Sequence, residues 1–473
     1  MKRTFAALLL ATALLASACG ASGNTGKSEE GEGEGTKTKD TTTAVADDAS
    51  FEKLTDLCAD GDFKIKADEA GKGSDKLYIA VANDRSAQIR TGLNKVLYDA
   101  SVSFASWCNA NGGIGGLQVE VVDADAALFN VEAAMTTVCS DAFAMVGGGF
   151  VMDDHEFSGK EASDFHKCGM IDIPGFAVSA KKTDSNGQIQ PVPNPGTSVA
   201  NTWMRDFMKL YPEDSKSWAI AYGEIPSLEF VKDKYLAAAK DVGLNSVGTM
   251  SFPAINVGDW TPYARKFIDM KAKSFTFVAE VENLTGFLSK TVEQGWKGTP
   301  VVETNMYEPM LSEEPAAEGT VLRMTYHPLE EKDEWPGIQK YLDINAKYVP
   351  DGDLGGLGIQ STSAWLLFVT AANACGKANG GELTRDCILK EAAAVDDWTG
   401  GGLHGPQNPE PAKTQEASPC SILMIVKDGK FERLYPEIGG TDDDTEGFHC
   451  PKNGVTKVPA NEGKGAVDPS RPI

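Results

Sequence analysis

The sequence predicts an α/β fold of two lobes, each built on a parallel central sheet. Three observations carry this. From Lys76 onward, short apolar runs alternate with longer stretches of helical spacing, the pattern of βαβ units with right-handed crossovers. The alternation stops at Pro191-Val192-Pro193-Asn194-Pro195-Gly196 and then restarts. After the polar N-terminal stretch about 400 residues remain, too many for one ordinary core and suited to two units of ~100–200 residues.

Each element can be justified in order. Lys76–Ala82 reads as a buried strand ending at Asn83-Asp84-Arg85-Ser86. Thr91 to Asn109 has helical spacing and stops at Asn111-Gly112-Gly113, a C-terminal signal. Leu117–Val122 is the next strand and Val131–Cys139 a helix. Strand Ala142–Val146 ends in Gly147-Gly148-Gly149. A helix near Gly159–Lys167 leads into strand Met170–Ile173. Three prolines in five residues then break the pattern, because proline continues neither a helix nor a central strand.

The second run comprises helix Ser198–Leu210, strand Ser217–Tyr222, helix Ser227–Val242 and strand Ser246–Phe252. Helix Tyr263–Met270, strand Phe275–Ala279, helix Leu284–Gln294 and strand Thr299–Glu303 follow. Strand Val321–Tyr326 precedes helices at Ile338–Tyr348, Gln360–Ala374 and Thr384–Val395. A Gly- and Pro-rich loop, Gly400–Pro419, leads to a hairpin, Ser421–Val426 and Phe431–Leu434, turned by Lys427-Asp428-Gly429-Lys430. Asp-Gly between apolar runs is a hairpin signal. Beyond Pro436 an acidic tail is held by Cys450.

The first residues point to export. Lys2 and Arg3 precede an apolar run from Phe5 to Leu15, then Ala16-Ser17-Ala18 and Cys19; this is the layout of a secretory signal. The run is too short to span a bilayer, which takes about 20 residues. Leu15-Ala16-Ser17-Ala18-Cys19 resembles a bacterial lipobox, with Ala16 where a branched apolar residue is usual. The expectation is a signal peptide over 1–18, lipid on Cys19, and a disordered tether through Ser50 that is too polar to fold. A short N-terminal extension over 51–75 follows. The protein is then anchored on the extracytoplasmic face of the bacterial cell membrane.

Cysteine usage agrees with export. Eight remain beside Cys19, an even set that reads as disulfides in an exported chain. Proximity pairs Cys375 with Cys387 and Cys420 with Cys450. Cys139 and Cys168 flank one βα unit, which leaves Cys58 with Cys108. No CxxC occurs, so neither a zinc ribbon nor a thioredoxin motif is indicated.

The net charge of −24 argues against nucleic acid and anionic lipid as partners, since both need a basic face. Asp153-Asp154-His155-Glu156, with His166 and Cys168 downstream, fits no standard metal-ligand spacing. The better account is a solvated acidic turn, and neither a metal nor a cofactor is expected. No GxSxG or HExxH occurs, and SxxK at Ser50–Lys53 and Ser179–Lys182 lacks SDN and KTG companions. A binder is therefore favoured over an exported hydrolase.

Several segments together resemble the type I periplasmic binding proteins of the branched-chain amino acid and amide ABC-transporter class. Asn109-Ala110-Asn111-Gly112-Gly113-Ile114-Gly115-Gly116, before strand Leu117–Val122 and Asp123, is similar to that family's turn after its first helix. Ile173-Pro174-Gly175 resembles its strand into the ligand loop. Thr399-Gly400-Gly401-Gly402-Leu403-His404-Gly405-Pro406 resembles its Gly-rich loop, and Val426-Lys427-Asp428-Gly429-Lys430-Phe431 its closing hairpin. The resemblance covers Lys76 to Pro436. It implies two Rossmann-like lobes, 76–192 with 321–418 and 193–320 with 419–436, and the acidic tail over 437–473. The three crossings of the hinge would lie near Pro191–Pro195, near Gly319–Val321 and just before Cys420. It also implies a monomer that captures a small polar solute in the cleft and delivers it to an ABC permease. A surface sensor of the same fold is the alternative.

In open α/β sheets ligands sit beyond the carboxyl ends of the strands. The expected ligand contacts are therefore Ser86, Gly149, Phe150, Phe176 and Ser179 in the first lobe. In the second they are Tyr222, Glu224, Glu280, Asn305 and Tyr307. Glu280 or Glu303 would take the ammonium of an amino acid, while Phe150-Val151-Met152 stands where the family keeps a Ser/Thr-rich carboxylate grip.

Overall fold

The computed structural model describes residues 49–88, 90–157, 165–409, 416–459, 465–471 and 473. The signal segment, Cys19 and the tether lie outside these residues. So does most of the helix expected at Gly159–Lys167, whose described end is turn. Among the described residues no helix is long and apolar enough to cross a membrane.

In chain order the strands are β1 (Lys64–Ile65), β2 (Leu77–Asn83), β3 (Val119–Asp125), β4 (Ala144–Val146), β5 (Asp172–Ile173) and β6 (Ser198–Ala200). Then come β7 (Trp218–Gly223), β8 (Ser246–Phe252), β9 (Ser274–Val278), β10 (Thr299–Val302) and β11 (Val321–Met324). The last are β12 (Glu382–Leu383), β13 (Ile422–Lys427), β14 (Lys430–Tyr435) and β15 (Val455–Lys457). The first lobe is a parallel sheet in the order β3-β2-β4-β5. The second is a larger sheet in the order β14-β13-β11-β10-β9-β7-β8. It is parallel from β8 to β11 and closed by the antiparallel hairpin β13–β14. This is the doubly layered α/β architecture that the alternating pattern dictates, because strands buried on both faces must be apolar throughout. All seven residues of β2 are buried.

Local chemistry explains the turns. Asn109 closes the end of helix Lys95–Ala110 onto β3: its Oδ1 accepts from Val119 N at 2.7 Å and its Nδ2 donates to Val119 O at 2.8 Å. Gly113, at φ 83°, passes so close to Leu117 that a Cβ would sit 2.3 Å from that carbonyl oxygen. Asp428 and Gly429 have φ of 50° and 76°, the left-handed pair that a two-residue hairpin turn requires.

Three sequence expectations are corrected. Val321–Met324 is not the start of the return to the first lobe. It pairs with β10 and β13 inside the second sheet, so the crossing falls after Met324, before helix Pro336–Tyr348 packs on Lys95–Ala110. Ser198–Ala200 is a strand rather than the first turn of a helix, because the C-terminal β15 pairs with it; the helix begins at Thr202. The extension before Lys76 is part of the first lobe. Phe51 and Leu57 are in its core, β1 pairs with β12, and Ala59 N donates to Gly113 O at 2.8 Å.

Four disulfides form, Cys58–Cys108, Cys139–Cys168, Cys375–Cys387 and Cys420–Cys450, the pairs named from the sequence. The first lobe also holds a buried ion cluster: the Lys182 ammonium bonds both Glu156 and Asp172.

Candidate ligand cleft

A cavity of about 260 Å³ lies between the lobes at the carboxyl ends of their strands. Val151, Phe176, Ala177, Val178, Leu357 and Gln360 line it from the first lobe. Leu228, Val231, Lys234, Phe277, Val278, Ala279, Glu280, Glu303, Asn305 and Arg323 line it from the second, and Val192, Pro193, Asn194, Tyr326, Gln407 and Ser418 from the connections. A second cavity of about 240 Å³ shares Val151, Leu228, Ala279 and Glu280 with it and opens beside Arg90, Trp260 and Glu282.

Two buried aspartates set the first-lobe wall. Asp84, just past β2, accepts from Leu128 N and Val151 N, both at 2.8 Å. Asp153 accepts from Val178 N at 2.7 Å and Ser179 N at 2.9 Å. Burial pushes both carboxyls up to about 6, although the backbone donors oppose it. The acidic turn expected to be solvated is thus half structural, with Asp153 bracing the loop under the cavity and Glu156 bonded to Lys182. Cys168 is in a disulfide, and among the described residues no cluster of His, Cys, Asp and Glu is placed to hold a metal ion.

Of the ten expected contacts, Phe176, Glu280 and Asn305 line the cavity. Gly149 lies behind Phe176, where a Cβ would meet the ring at 2.7 Å. The other six do not line it. Ser86 and Glu224 are exposed. Phe150 is fully buried in the first lobe's own core. Ser179 caps a short helix, accepting from Lys182 N at 3.2 Å. Tyr222 packs under Lys232, 5.0 Å from its ring centroid. The Tyr307 hydroxyl bonds Glu330 and accepts from Leu329 N at 2.9 Å.

The cations of the cleft, Arg90, Lys234 and Arg323, are residues the sequence did not single out. Arg90, on the first lobe, reaches Glu280, Glu282 and Glu308 on the second, with Nε 2.5 Å from Glu282 Oε1 and a terminal nitrogen 3.5 Å from Glu308. Burial raises the Glu280 carboxyl, Arg90 lowers it and Glu282 raises it further. Burial likewise takes Glu308 up to about 7 against the pull of Arg90. Arg323 pairs with Glu303 at 2.8 Å. Lys234 is buried, donating to Asn194 Oδ1 at 2.7 Å and Pro195 O at 3.1 Å; burial lowers it to about 8. Its position on helix Pro226–Val242 reads in sequence as an ordinary solvated charge, and Arg90 sits in an unremarkable polar turn.

A serine–histidine hydrogen bond does occur, Ser363 Oγ to His404 Nε2 at 2.8 Å, but both side chains are fully buried. His404 Nδ1 is spent on Gly405 O at 2.8 Å and the Ser363 hydroxyl accepts from Trp398 Nε1 at 2.9 Å. This network fastens the Gly-rich loop.

Comparison with solved structures shows the fold widely. A fatty acid ABC transporter substrate-binding protein from Thermomonospora curvata aligns with TM-score 0.62 and 16% identity, over 86% of this chain and 100% of that one. A leucine-binding protein from Thermotoga maritima aligns with TM-score 0.60 and 13% identity, over 76% and 98%. A branched-chain amino acid transporter substrate-binding protein from Streptococcus pneumoniae, in complex with isoleucine, aligns with TM-score 0.58 and 14% identity, over 76% and 100%. Curated protein sequences yield no match. The family model described as periplasmic binding protein matches residues 76–430, and with the two-lobed fold and its cleft this establishes that the chain belongs to that family of solute-binding proteins.

Proposed function

We propose that this protein captures a small polar solute, of the size of an amino acid or amide, in the cavity between its lobes and delivers it to an ABC permease. It works as a monomer on the extracytoplasmic face of a bacterial membrane, held there by lipid on Cys19. The observation that carries the reading is the cavity itself, walled by both lobes, with Arg90 tying one lobe to the other through Glu280 and Glu282. A solute held there is touched by both halves, so its binding energy favours closed lobes, a shape that a permease can read. The relatives named for fatty acid, leucine and branched-chain amino acid transport support this assignment. Four disulfides suit an oxidising compartment.

A thermal-shift screen over amino acids, amides, urea, short peptides and organic acids tests it, because a ligand of the folded state raises the unfolding midpoint. At least one class is expected to raise it in a concentration-dependent way. A flat response across the whole panel would remove the reading.

A further inference from the structure

We infer that the solute is a compact monocarboxylate with an apolar body and no ammonium group, its carboxylate held by Lys234 and Gln407. This rests on the cavity being the solute site.

The seats for an ammonium are taken. Glu280, the natural acceptor at the cavity mouth, is bonded by Arg90, and Glu303 by Arg323 at 2.8 Å. A zwitterionic amino acid would have to displace a guanidinium from one of them, exchanging one ion pair for another with no net gain.

A cation in the same wall lacks an anion. Lys234 is 1% exposed, and its bonded partners are the neutral oxygens of Asn194 and Pro195. Among the described residues it forms no ion pair; the nearby Asp184 carboxylate accepts from Gly196 N at 3.0 Å. An ammonium has three donors, and a buried charge gains strongly from an opposite one. Gln407, 4% exposed in the same lining, has neither Nε2 nor Oε1 bonded to any described residue. Its amide Nε2 and the Lys234 ammonium supply donors that suit a carboxylate. Buried polar groups left without partners are rare in folded proteins, so the unbonded Gln407 amide, with the Lys234 charge that no carboxylate pairs, marks where a ligand makes its polar contacts.

Leu228, Val231, Phe277, Val278 and Val192 form an apolar part of the wall, which rewards an apolar body by burying it. At about 260 Å³ the space is below the ~300–1,000 Å³ of drug-sized sites. That favours a short branched or single-ring acid over a long acyl chain.

The experiment is titration calorimetry of the purified protein at pH 7 with matched ligands: 4-methylpentanoate, leucine and 4-methylpentanamide, then 3-phenylpropanoate, phenylalanine and 3-phenylpropanamide. One of the two carboxylates is expected to bind at least about tenfold more tightly than its amino acid and its amide, the scale of one charge-assisted hydrogen bond. Lys234→Met should remove that preference, bringing the carboxylate down to the affinity of its amide. Gln407→Leu serves as a second probe if Lys234→Met fails to fold, and should reduce the preference in the same direction. Leucine or phenylalanine binding as tightly as its matched acid would overturn the inference and leave the solute-binding reading intact. If only amides or urea from the wider screen bind, the outcome is the same. Silence from every solute would overturn both.

Discussion

Arg90 Nε donates to Glu282 Oε1 at 2.5 Å, and that bond joins one lobe to the other. The same guanidinium holds Glu280 and lies 3.5 Å from Glu308. One cation thus screens three carboxylates of the second lobe from each other. The second lobe presents acid at the cleft mouth and the first lobe answers it with a single side chain.

Arg90→Ala therefore leaves three acids facing each other and removes a tie between the lobes. The closed arrangement becomes less populated, and solute affinity falls with it. The pairs are partly exposed, so the expected loss is modest, roughly tenfold in Kd. Calorimetry measures it, and small-angle scattering of the unliganded variant should show a larger radius of gyration. Unchanged values of both would show that the contact is incidental.

Lys182 is 1% exposed and bonds two buried carboxylates, Glu156 and Asp172. Lys182→Met strands both acids in the first lobe. Breaking a buried pair from one side costs about 3–5 kcal/mol, to be read from urea unfolding. A loss under about 1 kcal/mol would contradict this account of the cluster.

Asp84 gives a pH dependence of defined sign. Its folded pKa of about 6 is above the ordinary 3.8, because burial disfavours the charge. The proton thus favours the folded state: this contribution is fully present below about pH 4 and is lost as pH rises through about 6. Asp84→Asn has no such titration. Between pH 7 and pH 4 wild type should gain about 2 kcal/mol of unfolding free energy relative to the variant. Paired urea melts at the two pH values check it; a gap that is constant or that moves the other way refutes it.

Asn109→Ala removes two hydrogen bonds to Val119 that close the first helix onto β3. At roughly 1 kcal/mol each, the expected destabilisation is about 2 kcal/mol, measured by chemical denaturation. No loss would mean that the glycine turn alone sets this connection.

The fold was legible where local chemistry decides it. Lys76–Ala82, Ser246–Phe252 and the Asp428-Gly429 hairpin could be read because apolar runs and turn residues specify them without distant help. Ser198–Ala200 could not, since its strand character comes from β15, more than two hundred and fifty residues away. The return crossing was misplaced for a similar reason: Val321–Met324 is an apolar run in either lobe, and only its pairing with β10 and β13 assigns it. The cleft was legible at the level of loops and less so at the level of side chains. Phe176, Glu280 and Asn305 reach the cavity, whereas Ser86 faces solvent and Phe150 the core. Which side chain turns inward depends on tethers such as Asp84 to Val151 and Asp153 to Val178. Lys234 and Gln407 carried no local signal, because a helical lysine and a loop glutamine normally face water.

The proposed site is the cavity between the lobes. Ala279 is 4% exposed at its wall, and Ala279→Trp fills the space from within. Titration calorimetry of wild type and variant, with the ligand that gives the largest thermal shift, tests the claim directly. One ligand per wild-type chain, and none in an Ala279→Trp protein that keeps its circular dichroism, is the predicted result. Full-strength binding by the folded variant would place the solute elsewhere and contradict the account.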